Sequence, residues 1–200
     1  MPLGAFKAAL MGTAGVSTDN VVLLATANAD DDSIIAFTSD ITSTYQMYIF
    51  KFYNIHGSVN GQNFFFDCST DGGSNYGVVA TTTSFRAKHT ENGSSSELAY
   101  QPGSDLAQGT GNKQLASGTG AAADESCAGE LHLFNPSSTT YVKHYYTQFS
   151  VLQASDPPAT IYDTMFNAGY FNTTSAINAI KFYQGGGTIS EGRIKMWGVK

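Results

Sequence analysis

The reactive side chains of this 200-residue chain are 16 carboxylates, 4 histidines and 2 cysteines. Glycoside hydrolysis needs two carboxylates about 5–9.5 Å apart. The candidates are the run Asp30-Asp31-Asp32, the pair Asp124-Glu125 and single acids such as Glu130. The run stands near Asn28 and the pair in a Gly/Ala stretch, surroundings in which acids are most often solvated surface. Flexible oxygen clusters also suit Ca²⁺, but no EF-hand spacing supports it, and no cofactor is expected. His56, His89, His132 and His144 form no HExxH or other paired metal motif. His132 and His144 fall on neighbouring expected strands and read as a cross-strand polar pair. Two thiols cannot build a four-ligand zinc site. Cys68 and Cys127 sit on strand-like segments, so a disulfide is geometrically conceivable. The favoured reading is two buried free thiols acting as small apolar groups. Nucleophile-elbow, Walker and Rossmann motifs are absent. Gly185-Gly186-Gly187 joins two expected strands and is a turn, not a phosphate cradle.

Ser69-Thr-Asp-Gly-Gly-Ser-Asn-Tyr76 is the most recognisable short motif. It resembles the Asp-box, Ser-x-Asp-x-Gly-x-x-Trp, with Tyr76 in the aromatic position. The expected physics is local. Asp71 bonds backbone N–H groups two residues on, Gly72 and Gly73 supply positive φ, and the aromatic folds back on the turn. In sialidases and similar propellers the box is repeated and structural. Here it occurs once, so Ser69, Asp71, Gly72, Gly73 and Tyr76 are read as a structural turn, and no catalytic residue is assigned.

The elements that position these groups are strands. Val21–Ala25, Tyr45–Ile55, Asn63–Cys68, Gly77–His89, Cys127–Phe134, Tyr141–Leu152, Ile161–Phe171, Ala176–Tyr183 and Ile189–Val199 are rich in β-branched and aromatic residues. In Cys127–Phe134, Gly129, Leu131 and Leu133 alternate with Glu130 and His132, as in a sheet with one wet face. Ile194 and Met196 point in where Arg193 and Lys195 point out. Gly57–Gly61 reads as a hairpin-type connection. Ala5–Met11 is the best helix case, at one or two turns. About nine strands without helices between them exclude parallel βαβ units. The expected fold is all-β, an antiparallel β-sandwich of jelly-roll type. The Cys…Trp…Cys order of immunoglobulin domains is absent, because Trp197 follows both cysteines.

Composition narrows the function. The net charge is -6 with only 10 Lys+Arg, and these do not cluster, so a nucleic-acid footprint is not expected. No apolar run reaches the roughly 18 residues of a helical membrane span. Residues 1–16 make a poor export signal, with one Lys and an apolar stretch broken by Gly12 and Gly15. Residues 1–18 are read instead as an N-terminal arm, and 19–200 as one sandwich domain. Within it, Thr90–Ser126 reads as a long Gly/Ser-rich insertion loop, pinned by Leu98, Tyr100, Leu106 and Leu115. Tyr45, Tyr48, Tyr53, Tyr145 and Tyr146 lie on strands bulky on both faces, which points to an interface more than to a sugar platform. The expected interface residues are Pro2, Leu3, Phe6, Leu10, Tyr45, Tyr48, Tyr100, Leu106, Tyr145 and Tyr146.

The chain resembles a group of small β-rich virion structural proteins of tailed, marine-type bacteriophages. The likeness rests on Met1–Lys7, Phe52–His56, Phe66–Gly73, Gly129–Pro136, Gly169–Asn178 and Gly192–Val199, in that order. It implies a virion component and no catalytic residue. The expected role is non-enzymatic: a capsid decoration or cement protein that stabilises the head lattice. Its expected partners are itself, as a trimer or higher symmetric assembly, and the major capsid protein or other virion proteins. The rivals are a tail-fibre or spike tip binding host surface glycans, and a small polysaccharide depolymerase.

Overall fold

The computed structural model describes residues 20–153 and 160–200. These form twelve strands in two antiparallel sheets: β1 (Val21–Asp32), β2 (Ile35–Phe37), β3 (Met47–Gly57), β4 (Gln62–Ser69), β5 (Ala80–Thr90), β6 (Ser96–Tyr100), β7 (Lys113–Thr119), β8 (Cys127–Phe134), β9 (Lys143–Gln153), β10 (Ile161–Phe171), β11 (Ala179–Gln184) and β12 (Ile189–Val199). The larger sheet has the order β1-β12-β3-β8-β9-β10-β5-β6, the smaller β2-β11-β4-β7. They pack face to face, so the expected antiparallel sandwich is the observed fold.

The strand sequences explain the packing. In β3, Tyr48, Phe50 and Phe52 point inward, while Met47, Ile49, Lys51 and Tyr53 point to the other side. Phe52 is the hub of an aromatic core. Its ring centroid lies 5.0 Å from those of Phe149 and Phe182 and 5.8 Å from that of Phe64. Such pairs contribute about 0.5–1.5 kcal/mol each beyond the area they bury. In β8, Leu131 and Leu133 are buried, as the alternation requires, and so are Ile194 and Met196 in β12. Beyond the small sheet the inner face turns polar: Arg86 bridges Asp163 at 3.3 Å and Glu97 at 3.4 Å.

Several expectations need correction. Twelve strands replace nine, and the extra ones are β2, β6 and β7. The segment Thr90–Ser126 is not one insertion loop, because it contains β6 and β7. β7 (KQLASGT) has one β-former, Thr119, yet it pairs with β4 and packs beside β9. Leu115 is buried there and Leu106 half-buried, whereas Leu98 is 76% exposed and pins nothing among the described residues. The Gly57–Gly61 connection is not a hairpin: β3 and β4 belong to different sheets, so it crosses the sandwich. Tyr48 and Tyr145 are core residues, not interface residues. The Tyr48 hydroxyl donates to Thr42 O at 2.8 Å, and the Tyr145 ring packs 5.0 Å from Phe66. The expected helix Ala5–Met11 and the arm residues Pro2, Leu3, Phe6 and Leu10 lie outside the described residues.

Candidate functional site

The Ser69–Tyr76 turn begins at the last residue of β4. Ser69 Oγ donates to Asp71 Oδ1 at 2.6 Å and accepts from the N–H groups of Asp71 (3.2 Å) and Gly73 (3.0 Å). Asp71 accepts from Asn75 N at 2.9 Å and from Asn75 Nδ2 at 2.7 Å. The carboxylate therefore reaches four residues on, not two, and Ser69 takes the nearer N–H groups. Gly72 and Gly73 have φ of 71° and 90°. A Cβ on Gly73 would meet the Tyr76 hydroxyl at 2.8 Å, so the aromatic does fold back. Hydrogen bonds from Ser69 and Asn75 lower the Asp71 carboxyl to about 2. An acid so committed to its own turn is an ionised staple, not a proton donor. Across the sheet, Asn178 Oδ1 accepts from Gly72 N at 2.8 Å and Lys181 Nζ lies 4.8 Å from the Tyr76 ring centroid.

The other reactive groups are scattered. Cys68 on β4 and Cys127 on β8 are free and buried, in different sheets. Burial pushes the Cys127 thiol up to about 12, and the Cys68 thiol also rises. His132 stacks on Tyr146 at 4.5 Å, and its Nε2 lies 3.0 Å from Glu130 Oε1. His144 packs 6.0 Å from Tyr170. Asp32 Oδ2 accepts from Asp30 N at 3.2 Å, and Asp31 Oδ1 from Thr188 Oγ1 at 3.2 Å. No group of three or more His, Cys, Asp or Glu is placed to hold a metal among the described residues. None of the described helices is long and apolar enough to cross a membrane.

What the sheet does bring together lies on its outer face. Register sets side chains in rows across β1, β12, β3, β8 and β9. One end row is Val21, Val199, Met47 and Phe134; the next is Leu23, Trp197, Ile49, His132 and Tyr146. Val21 is 52% exposed, Leu23 44% and Tyr146 42%, and no described residue covers them. Of the expected interface residues still exposed, Tyr146 belongs to this face. Tyr100 stands on edge strand β6, where its hydroxyl donates to Asp105. Tyr45 is half-buried against Tyr48.

The opposite end of the same face holds a polar groove of about 840 Å³. Its floor is the row Asn28, Arg193 and Tyr53 on β1, β12 and β3. A bulge makes the space. Between the pairs Phe52–Gly129 and Ile55–Cys127, two residues (Tyr53 and Asn54) oppose one (Ala128), with Asn54 at φ 50°. Gly192 faces it at φ 125°, and a Cβ there would meet Asn54 O at 2.8 Å. Only glycine fits both that angle and that approach. Arg193 Nε donates to Asn28 Oδ1 at 2.7 Å, and Lys195 Nζ lies 5.8 Å from the Tyr53 ring centroid. His56 lies 2.9 Å from Ser190 Oγ and 3.8 Å from Glu191. Sequence reasoning placed Tyr53 on a strand with two bulky faces and Arg193 and Lys195 outward, but did not connect them. Nothing in the sequence alone carries that register.

No protein-family model matches the chain, and no curated protein matches it in sequence.

Proposed function

We propose that the protein is a non-enzymatic virion structural component that works by assembly, as a decoration or cement protein on a phage head. The observation that carries the assembly reading is the pair of apolar rows on the large sheet. Contiguous exposed apolar surface of this kind marks an interaction site. A second copy is a fitting occupant, since the rows are nearly free of charge and extend over four and five strands. Obligate interfaces bury roughly 2,000 Å² or more and are apolar at the centre.

The topology is consistent with that role. Without the pairs β5–β6 and β9–β10, the strand order reduces to β1-β12-β3-β8 and β2-β11-β4-β7, with consecutive strands in alternate sheets except β4 and β7, which are neighbours in the smaller one. We read this as a jelly roll of two Greek keys, an architecture of viral capsid and lectin domains. The two inserted hairpins widen one sheet. The motif likeness to phage virion proteins supports a virion component, and residues 1–18, read from the sequence as an arm, would be a further grip for neighbours.

The test is the oligomeric state by light scattering, with Leu23→Lys and Ile49→Lys combined. The expected outcome is a symmetric trimer or larger assembly that the double variant reduces to folded monomers. A wild-type chain that stays monomeric at tens of micromolar would overturn the reading. Imaging of the intact particle with the protein labelled then separates head from tail.

A further inference from the structure

We propose that the groove at Asn28, Tyr53, Asn54, Glu191, Arg193 and Lys195 binds an acidic oligosaccharide, one sugar ring lying on Tyr53 with its carboxylate on Arg193. This goes beyond the assembly role and does not depend on it.

Three independent observations converge on the site. The first is shape. A groove of about 840 Å³ is of the size that holds a small ligand, and it combines an apolar face with a few convergent polar groups. Tyr53, 42% exposed, supplies the face. The second is charge. Arg193 and Lys195 take part in none of the ion pairs among the described residues. In a chain of net charge -6 with only 10 Lys+Arg, two unpaired cations beside one tyrosine are uncommon. The Arg193 guanidinium is already oriented by Asn28 through Nε. Its remaining N–H groups form the planar fork that pairs with a carboxylate. The third is backbone. The positive φ of Asn54 costs energy, and it is retained opposite Gly192 where the β3–β12 register shifts between Glu191 and Arg193.

The chemistry separates a sugar acid from a bare anion. Around the cations stand the Asn28 and Asn54 amides, His56 and the Glu191 carboxylate. Amides exchange hydrogen bonds with hydroxyls in both directions, and a carboxylate accepts from them. An inorganic anion would gain nothing from Glu191 or from the ring. A neutral sugar would leave both cations unused. A uronate uses all of them.

The experiment measures binding of the full chain to oligogalacturonate and oligomannuronate by calorimetry, with neutral dextran oligosaccharides and inorganic phosphate as further probes. Tyr53→Ala and Arg193→Gln are compared with wild type, with unfolding midpoints and assembly state checked on the same samples. Both side chains lie on the wet face, so both variants should fold and assemble. The expected result is uronate binding that weakens roughly tenfold or more in each variant and falls with added salt. No binding to either uronate overturns the proposal. So does dextran or phosphate binding as strong as uronate binding, or uronate binding that survives Tyr53→Ala. A wild-type chain that binds uronate yet stays monomeric would count against the assembly reading alone.

Discussion

Lys113 is a cation sealed inside the sandwich, and its removal should be felt throughout the fold. Its Nζ lies 3.1 Å from Asp67 Oδ1 and donates to Val78 O at 3.1 Å. Asp67, on the neighbouring strand β4, also accepts from the Tyr183 hydroxyl at 2.7 Å and has Lys181 3.9 Å away. Removing one partner of such a buried pair costs about 3–5 kcal/mol. In Lys113→Met, Tyr183 and Lys181 still attend Asp67, so the lower end, about 3 kcal/mol, is expected. For a chain of this size that is a drop in Tm of roughly 6–12 °C. The pH dependence gives a sharper check. Burial raises the Asp67 carboxyl above its ordinary value, and Lys113 is the main influence opposing that rise. A carboxyl raised in the folded state favours folding below its unfolded value, and that advantage disappears as pH rises through the folded value. Loss of Lys113 raises it further. The variant should therefore lose most relative to wild type at pH 7.5, and the gap should narrow on acidification to about pH 4, where carboxyls begin to protonate even when unfolded. Urea unfolding followed by circular dichroism, at one protein concentration, reads both numbers. A cost below about 1 kcal/mol at neutral pH, or one that grows on acidification, would refute the view that this pair holds β4 to β7.

Three further outcomes test the packing. Asp71→Asn should lower the unfolding midpoint at neutral pH. The wild-type advantage, complete above the ordinary carboxylate range, should vanish as pH falls through about 2, where the folded Asp71 protonates. Phe52→Ala removes the hub ring and should cost about 3–5 kcal/mol in the same denaturant titration. Cys68 and Cys127 should resist an aromatic disulfide reagent at pH 8 until the chain is unfolded, and electrophoretic mobility should be the same with and without reductant.

How far the sequence led can be judged residue by residue. Alternation in β8 and β12 was legible because one face is wet: Glu130 against Leu131 and Lys195 against Met196 declare the inside. The neighbours Tyr145 and Tyr146 were harder. Period two puts them on opposite faces, but with bulky groups on both sides nothing in β9 says which face is the core. The structure buries the first and exposes the second. β6 and β7 were missed because their order comes from pairing with β5 and β4, not from their own propensity. The self-closing turn at Ser69–Tyr76 was readable because every bond in it is local, apart from the long-range support of Asn178 and Lys181. The groove was not, since it depends on Asn28, Tyr53 and Arg193 meeting across three strands distant in sequence.

The two features of the outer face bear on each other through geometry. The row Thr26, Lys195, Lys51, Glu130 and Gln148 separates the apolar end from the groove end. Copies that meet through Val21, Leu23, Trp197 and Ile49 therefore need not cover Asn28, Arg193 and Tyr53. A symmetric assembly then carries as many grooves as copies on one rigid body. Where a polymer reaches two of them, the second contact is intramolecular, and avidity exceeds single-site affinity by about 10²–10⁴. This gives assembly a consequence for binding that neither feature has alone. The Leu23→Lys, Ile49→Lys monomer should bind a short oligogalacturonate as wild type does, because its groove is intact. On immobilised polygalacturonate it should dissociate at least a hundredfold faster. Equal loss on the short and the long sugar would mean that the substitutions damaged the groove itself. Equal retention on the polymer would mean that the grooves in an assembly do not act together.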